Sequence, residues 1–309
     1  MNGKHIVAIG VACIDEYYTA EAWIPEGEKC NVEWKENRVG GMIPNAACVF
    51  AGMGEKTYLV TALNSGSISQ IIKKDLERWQ LDLSYVIKDD SLADPKCMII
   101  STPKERSIFV VNMDHIQYKV NSQLHELLLE AKCVYTSVME FHRLERWEKL
   151  AEELAETGVP LVIDAETSTF DSWDDKTFSY AKLIFFNEEG WKKFRCERSD
   201  SEAMEMLFQG HTEAVVITLG SEGCYCRTRD KEVRLPGNRV QVLDTTGAGD
   251  TFNCSFTECW LSGKSLEYSA EYANAAGAYA VTAFGARAGI VSEKVIKQYM
   301  EAFRRQRSK

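Results

Sequence analysis

The feature of this sequence that most restricts its fold is the alternation of short apolar runs with longer amphipathic segments. The amphipathic segments include ISQIIKKDLERW (68–79) and LERWEKLAEELAETG (144–158). The apolar runs are HIVAIGV (5–11), TYLVTAL (57–63), CVYTS (133–137), PLVID (160–164), KLIFF (182–186) and AVVITL (214–219). Near-continuous apolar strands separated by helices are typical of a parallel sheet that is covered on both faces. The sequence therefore predicts an α/β fold.

Two segments interrupt this alternation. Residues 13–37 and 95–111 read as short strands joined by polar turns, with TPKERS (102–107) as a hairpin connection. They are either surface hairpins or a small sheet that covers a site as a lid, because a cover excludes water from a reaction. The remaining residues, 1–12, 38–94 and 112–309, are interpreted as one core domain.

Composition excludes several classes of protein. The chain has 309 residues, 45% of them hydrophobic, which is enough for a substantial core. Its formal net charge of -10 argues against a nucleic-acid partner, because such binding depends on Lys and Arg at phosphates. No stretch resembles a signal peptide or a membrane span, so we expect no membrane partner and a cytoplasmic protein. The ten cysteines are predicted to be reduced and mostly buried thiols.

The stretch DTTGAGDTF (244–252) is the strongest candidate for a functional motif. It is not a dinucleotide-binding turn, because Phe252 stands where a third glycine is needed. That absence also argues against an NAD-dependent enzyme. It follows RVQVL (239–243), which is predicted to be a strand, and precedes a helix predicted to begin near residue 250.

Glycines at such a junction expose backbone N–H groups at the positive end of the helix dipole, which favours a phosphate or a developing anion. Asp250 is then either a catalytic base beside this anion site or the N-cap of the helix. The nine residues by themselves support both interpretations.

Residues 244–252 also resemble the C-terminal motif of the ribokinase-like (PfkB) carbohydrate kinases. Further segments resemble that family in the same order along nearly the whole chain. They are GVACID ending at Asp15, the Gly40-Gly41-Met42-Ile43-Pro44-Asn45-Ala46 stretch, Glu140 after the strand at 133–137, Asn187, the segment 218–223, and Asn274-Ala275-Ala276-Gly277-Ala278.

The resemblance implies a three-layer α/β/α ribokinase-like core with a mostly parallel sheet, plus a small β-sheet lid formed by the two interrupting segments. It implies transfer of the γ-phosphoryl group of ATP, with Mg²⁺, to a hydroxyl of a sugar acceptor, most simply a primary one. Asp250 would be the base, and the N–H groups of Gly247, Ala248 and Gly249 would form the anion hole. The other implied site residues are Asp15, Gly41, Asn45 and Glu140 for the acceptor, Asn187, Thr218, Gly220, Gly223 and Asn274 for the nucleotide, and Asp244 for a monovalent cation such as K⁺.

Two departures from the family pattern concern the metal and the acceptor. The family's Asn-x-x-Glu element appears as Asn187 followed by Glu188, Glu189 and Gly190, so that either glutamate substitutes or the metal is held through water and nucleotide. A glycine-rich loop usual after the second core strand is replaced by Ala-Leu-Asn-Ser-Gly-Ser at 62–67. For Asp244, a turn residue that bonds its own backbone is an equal alternative.

The acceptor stays open at this point. Arg38 and Arg106 lie in or beside the lid segments, where they are either solvated charges or ligands of an anionic acceptor such as a phosphosugar. A nucleoside acceptor is a further alternative, as is a protein that binds sugar or nucleotide without catalysis. An exposed lid edge also predicts a homodimer, because unpaired strands seek partners.

Overall fold

The computed structural model of the chain describes residues 5–113, 115–287 and 289–307. Its strands are β1 Ile6–Ile9, β2 Cys13–Thr19, β3 Glu33–Gly40, β4 Thr57–Val60, β5 Ala62–Leu63, β6 Ile87–Lys88, β7 Lys96–Ser101, β8 Arg106–Val111, β9 Cys133–Thr136, β10 Leu161–Ala165, β11 Leu183–Asn187, β12 Ala214–Thr218, β13 Cys224–Arg227 and β14 Glu232–Leu235. Its helices are α1 Met42–Gly52, α2 Ser67–Arg78, α3 Ser122–Leu129, α4 Val138–His142, α5 Trp147–Thr157, α6 Thr177–Tyr180, α7 Glu188–Arg195, α8 Asp200–Gln209, α9 Ala248–Leu261, α10 Leu266–Ala280 and α11 Glu293–Arg307.

The main sheet has eight strands in the order β14-β13-β12-β11-β10-β9-β1-β4. The six strands from β4 to β12 run parallel, and β13 and β14 extend the sheet as an antiparallel edge. Each of the six predicted apolar runs coincides with one strand of the parallel part to within a few residues. The prediction of a mostly parallel α/β sheet is confirmed.

The main sheet is buried on both faces. Along β1, Val7 and Ile9 join one hydrophobic cluster, whereas Ile6 and Ala8 join a second cluster on the opposite face. Helices α3, α5, α7 and α8 contribute to the first cluster, and α1, α2, α9 and α10 contribute to the second. Strands with both faces covered account for the continuous apolar runs, and the three-layer arrangement is confirmed.

A separate sheet of four strands has the order β3-β2-β7-β8. The segment 95–111 contains β7 and β8, and 13–37 contains β2 and all of β3 except its last three residues. The hairpin predicted at 102–107 is confirmed, since Thr102 N–H donates to the Glu105 carbonyl oxygen (2.9 Å) between β7 and β8. We call this sheet the lid sheet, and the division of the chain into core and lid segments at the stated boundaries stays a prediction.

One predicted strand is wrong. The RVQVL stretch lies in an irregular segment between β14 and α9. Its side chains are largely exposed, with 55% of Val242 and 47% of Leu243 accessible, and Leu243 N–H donates to the Val281 carbonyl oxygen instead of to a strand (2.8 Å). Strand propensity misled here because this segment has no neighbouring strand to pair with.

Further features of the described residues bear on the composition arguments. None of the helices in the described part of the chain is long and apolar enough to cross a membrane. All ten cysteines are free thiols; Cys30 and Cys196 are exposed, Cys97 is half-buried, and the others are buried.

Candidate active site

Two cavities lie at the carboxyl end of the parallel strands. The first, which we call the lid cavity, has a volume of about 750 Å³, and the second, the turn cavity, about 650 Å³. Both lie in the size range of small-molecule sites. The lid cavity is lined by Ile14, Asp15, Tyr17, Asn37, Arg38, Val39, Ile68, Ile71, Lys74, Asp75, Arg78, Trp79, Phe284, Gly285, Ala286 and Arg287. The turn cavity is lined by Thr218, Gly220, Ser221, Gly223, Gly237, Asn238, Arg239, Val240, Val242, Thr245, Ala248, Gly249, Phe252, Asn274, Gly277, Ala278 and Val281.

The glycine turn at 247–249 lies at the boundary between the two cavities. Gly247 is the N-cap of α9 and has a positive φ of 77°. A Cβ atom at Gly247 would collide with the carbonyl oxygen of Ala286, which lines the lid cavity, whereas a Cβ at Gly249 would meet nothing within 4 Å. Gly249 thus offers an unhindered backbone to the turn cavity, at the first turn of a helix, where N–H groups lack partners within the helix.

Asp250 is the third residue of α9 and is half-buried. Because Gly247 is the N-cap, the structure excludes the interpretation of Asp250 as the cap. Burial raises the pKa of Asp250 well above its ordinary value; the charges of Asp164 and Glu166 add to this, and Arg287 opposes it. The carboxyl therefore holds its proton more tightly than the ordinary value assumed from the sequence.

The two neighbouring acids come from the end of β10. Asp164 Oδ2 accepts hydrogen bonds from Tyr135 Oη and Asn253 Nδ2, both at 2.9 Å, and Asp164 is 3% exposed. Burial, and then the charge of Asp164, raises the pKa of Glu166 to about 7. Three carboxyl groups, those of Asp164, Glu166 and Asp250, thus interact electrostatically.

Arg287 connects the lid cavity to the core. Its Nε donates to Asn45 Oδ1 (3.2 Å), its Nη1 is ion-paired with Asp75, and its guanidinium carbon lies 5.6 Å from the centre of the Trp79 ring. The predicted acceptor residue Asn45 is therefore held by an arginine that the sequence did not single out. The charge of Arg287 also opposes the rise in the pKa values of both Asp15 and Asp250, so it acts on both carboxyl groups.

Asp15 lies on the floor of the lid cavity, on β2. Burial raises the pKa of Asp15, and the thiols of Cys13 and Cys97 oppose this by hydrogen bonding. A Cβ at Gly40 would occupy the position of Asp15 Oδ2, so only glycine leaves room for this carboxyl. The glycine pair has a second role, because Gly41 has a φ of 105° and is the N-cap of α1, which carries Asn45.

Glu140 lies apart from the acids around Asp250 and does not line the lid cavity. Its Oε2 accepts hydrogen bonds from Val11 N and Arg143 Nε, both at 3.1 Å, and from Tyr118 Oη at 3.5 Å. In this structure the carboxylate joins the end of β1 to α4.

Among the predicted nucleotide residues, four line the turn cavity and one does not. Thr218, Gly220, Gly223 and Asn274 line it, and Asn274 Nδ2 donates to the Pro236 carbonyl oxygen at 2.8 Å. Asn187 is instead the N-cap of α7, with its Oδ1 accepting from Gly190 N–H at 2.7 Å. The lining of this cavity consists mostly of small and apolar residues, five of them glycines.

The departure at Gly190 has a steric cause. A Cβ at this position would collide with the carbonyl oxygen of Ala165 in β10, so the backbone packing leaves no room for a side chain. The preceding acids are exposed, and Glu188 and Glu189 both pair with Lys192, at 2.9 and 2.7 Å. Glu166 follows Ala165 directly. Besides burial, its charge is one of the two that raise the pKa of Asp250.

Two arginines connect the lid sheet to the segment that carries the motif. Arg106, at the start of β8, has Nη1 3.5 Å from Thr246 Oγ1. Arg38, in β3, has Nη1 4.0 Å from Asp244 Oδ2. Asp244 also forms the turn that the sequence allowed, since its Oδ1 accepts from Thr246 N–H (2.9 Å) and its Oδ2 from Gly285 N–H (2.9 Å).

Sequence reasoning missed Asp164, Glu166 and Arg287. A signal existed for Asp164 and Glu166, because acids that follow a predicted parallel strand lie at the sheet edge where ligands bind. For Arg287 the signal was weaker and consisted of one charge within the small-residue stretch Gly-Ala-Arg-Ala-Gly at 285–289.

Comparison with known proteins places these features in a family. The sequence model for the pfkB family carbohydrate kinases matches residues 4–293. The ribokinase of Haemophilus influenzae is 24% identical over 310 residues, with 97% of this chain and 96% of that protein covered. Arabidopsis thaliana ribokinase complexed with ribose and ATP has a TM-score of 0.84 at 21% identity, covering 97% of this chain and 99% of the other. A putative ribokinase II from E. coli in complex with ATP and Mg²⁺ has a TM-score of 0.79 at 15% identity, with coverage of 97% and 99%. The predicted ribokinase-like fold is confirmed.

Proposed function

Since this chain belongs to the pfkB family of carbohydrate kinases, we propose that it transfers the γ-phosphoryl group of ATP to a primary hydroxyl of a sugar or sugar derivative. Sugar kinase activity follows from the family, and the roles of individual residues are our proposal. The observation that supports them is the position of Asp250 beside the 247–249 turn, between one cavity lined by backbone and small residues and another lined by polar side chains.

In this proposal the turn cavity holds ATP and the lid cavity holds the acceptor. Thr218, Gly220, Gly223 and Asn274 border the nucleotide. The N–H groups of the 247–249 turn stabilise the negative charge of the transferred group, because donors at a helix start are fixed in place before the reaction. The Ala248 N–H, which donates to the Thr245 carbonyl oxygen (3.3 Å), exchanges that partner for the phosphoryl group.

Asp15 and Asn45 orient the acceptor hydroxyls through directed hydrogen bonds, and Arg287 fixes the Asn45 amide. Asp250 takes the proton of the attacking hydroxyl as the bond to phosphorus forms. Positioning and charge stabilisation supply most of the acceleration in such transfers. The pKa of Asp250, raised by burial, makes it a stronger base once it is ionised, and Arg287 favours the ionised form.

The acids near Asp250 fit a hard dication. Asp164 and Glu166 offer carboxylate oxygens, the ligand type that Mg²⁺ prefers, and Mg²⁺ usually keeps several waters. We propose that Glu166 supplies the acid that the family pattern has at the position of Gly190. When bound with ATP, Mg²⁺ neutralises charge on the β- and γ-phosphates.

A monovalent cation at Asp244 remains part of the proposal. Asp244 joins the 244–246 turn to the loop at Gly285, so a cation beside it would order both sides of the anion site. Activity that rises in K⁺ relative to a bulky organic cation at equal ionic strength would support this role, whereas equal rates would remove it.

A nucleoside is the second candidate acceptor, and a specific feature of the lid cavity favours it. The cavity is larger than one monosaccharide needs, and its outer part is lined by apolar and aromatic side chains, including Trp79, Ile71 and the 72% exposed Phe284. Such a rim suits the planar base of a nucleoside. Lys74 and Arg78 also line this cavity and make no ion pair in the described part of the chain, so they suit an anionic group of the acceptor.

The test is ADP release from Mg·ATP across ketoses, aldoses, sugar acids, phosphosugars and nucleosides. Acceptor-dependent ADP release that is lost in Asp250→Asn supports the proposal. Tight sugar or nucleotide binding without ADP release from any acceptor would instead support a protein that binds without catalysis.

We also propose a homodimer through the lid sheet. The edge strand β8 exposes Ile108, Phe109 and Val110, and Trp34 on the other edge strand is 58% exposed. An apolar strand edge of this kind pairs with another strand or aggregates. Light scattering should give twice the chain mass for the wild type and the monomer mass for Val110→Lys, and a monomeric wild type would contradict the proposal.

A further inference from the structure

Asp15, which lines the lid cavity, lies beside two thiols that phosphoryl transfer does not require. Cys13 Sγ lies 3.8 Å from Cys97 Sγ and 3.5 Å from Asp15 Oδ1. All three potential ligand atoms lie within 4.8 Å of one another. We propose that Cys13, Cys97 and Asp15 bind a thiophilic dication of the Zn²⁺ class.

The strand register brings these groups together. Cys13 and Asp15 are two residues apart in β2, so both side chains project from the same face. Cys97 in β7 is paired with Asp15 in the parallel register, which places its side chain on that face as well. Gly40 in β3 is paired with Cys13 in β2. Because Gly40 has no side chain, it leaves room for the Asp15 carboxyl. The ligand atoms are thus held by the sheet itself.

The distances match those of a tetrahedral zinc site. With a Zn–S bond of about 2.3 Å and a Zn–O bond of about 2.0 Å, two sulfurs of a tetrahedron lie about 3.8 Å apart, and a sulfur and an oxygen about 3.5 Å apart. The distances from Cys13 Sγ to Cys97 Sγ and to Asp15 Oδ1 equal these two values. Binding therefore needs no rearrangement of Cys13 relative to either partner. Each thiol gives its proton to solvent as its sulfur binds the metal.

The site adjoins the lid cavity through Asp15. Asp15 lines that cavity and Cys97 is half-buried, whereas Cys13 is 2% exposed. A metal that enters through the cavity would have these three protein ligands and a water in the fourth position, the arrangement of an open zinc site.

This site overlaps the one proposed for the acceptor, so a consequence for activity follows that rests on the proposed function. An Asp15 oxygen bound to the metal cannot orient an acceptor hydroxyl. Bound Zn²⁺ therefore inhibits the kinase by competing with the acceptor and leaves the turn cavity unaffected.

Metal binding is tested without turnover, by titrating the reduced, metal-free protein with Co²⁺ and recording thiolate-to-metal charge-transfer absorption. We expect absorption that saturates at one equivalent and is displaced by Zn²⁺. It should disappear in the double variant Cys13→Ser, Cys97→Ser and persist in the matched control Cys30→Ser, Cys196→Ser, which removes the two exposed thiols.

A single-residue variant tests the proposal even if the double variant does not fold. Cys97→Ser changes only the half-buried thiol and should halve the intensity, because one of two thiolate ligands remains. A wild type without the absorption band, or a band unchanged by Cys13→Ser, Cys97→Ser, would overturn the proposal.

The kinetic consequence is measured separately, with Zn²⁺ added at constant Mg·ATP. The acceptor KM should rise with Zn²⁺ in the wild type and in the Cys30→Ser, Cys196→Ser control, while the Cys13→Ser, Cys97→Ser variant should keep one KM with and without Zn²⁺. A Co²⁺ band without competitive inhibition would leave the metal site standing and contradict the placement of the acceptor at Asp15.

Discussion

The substitution Asp250→Asn should abolish catalysis and at the same time preserve or increase stability. The side chain keeps its shape but can no longer accept a proton, and loss of a general base typically lowers kcat by about 10²–10⁴-fold. Acceptor and nucleotide binding should persist, because an asparagine amide can still hydrogen-bond the acceptor hydroxyl and the residues that line the two cavities are unchanged.

The stability effect follows from the neighbouring charges. Folding raises the pKa of Asp250 through burial and the charges of Asp164 and Glu166. A carboxyl whose pKa is raised by folding does not lower the free energy of unfolding at pH values below its pKa in the unfolded chain, which is about 3.9. The loss of stability grows as pH rises towards the folded pKa, because the unfolded chain releases its proton first. Each pKa unit corresponds to about 1.4 kcal/mol, and 1 kcal/mol shifts the Tm of a domain of roughly this size by about 2–4 °C.

The assay combines ADP release with thermal denaturation at pH 5 and pH 8. We expect the Tm of Asp250→Asn relative to the wild type to be higher at pH 8 than at pH 5. Asp171→Asn is the matched control, since Asp171 is an exposed acid in the loop after β10 and should change neither quantity. A kcat within tenfold of the wild type, or a Tm below the wild type at pH 8, would refute the reasoning.

Three further perturbations test the surroundings of Asp250. Glu166→Gln should raise the Tm more at pH 8 than at pH 4. The pKa of Glu166 is about 7 in the folded protein and about 4.3 in the unfolded chain, so this carboxyl lowers the stability as pH rises above about 4.3. Equal shifts of the Tm at both pH values would contradict this. Gly247→Ala should cost at least about 1–2 kcal/mol through its left-handed φ, and more through the collision with the neighbouring loop, measured by urea unfolding. Gly263→Ala, with a φ of 74° and no collision, should show the strain alone, so equal losses in the two variants would exclude the packing effect. Gly190→Glu should lower the Tm instead of restoring a metal ligand, and a stable variant with stronger Mg²⁺ dependence would show that Glu166 does not take that role.

The structural features that were predicted correctly are those determined by residues that are neighbours in the chain. The core strands were found because both of their faces are buried, which makes successive residues apolar, as in Leu161, Val162 and Ile163 of β10. The glycine turn at 247–249 and the helix after it were predicted because they are neighbours in the chain, and the role of the turn as an anion site stays a prediction. RVQVL has similar composition and was assigned wrongly, since pairing depends on a partner strand that composition does not specify.

The parts that could not be predicted depend on contacts between distant residues. The start of α9 was placed two residues late, because its cap is a glycine without a side-chain signal. The hydrogen bonds of Glu140 with Tyr118 and Arg143 could not be predicted from the sequence, and its role in acceptor binding stays a prediction. Arg287 acquires its importance only through partners more than 200 positions earlier in the chain.

The contacts of Arg287 have a consequence for the order in which the protein is made. This side chain joins Asn45 and Asp75, which lie 242 and 212 positions before it. Strands β1, β4 and β9 can pair once the first half of the chain has left the ribosome, because domains begin to fold during synthesis. The lid cavity, in contrast, lacks part of its wall until residues 284–287 arrive. A nascent chain can therefore pair its first parallel strands long before the wall of the lid cavity is complete.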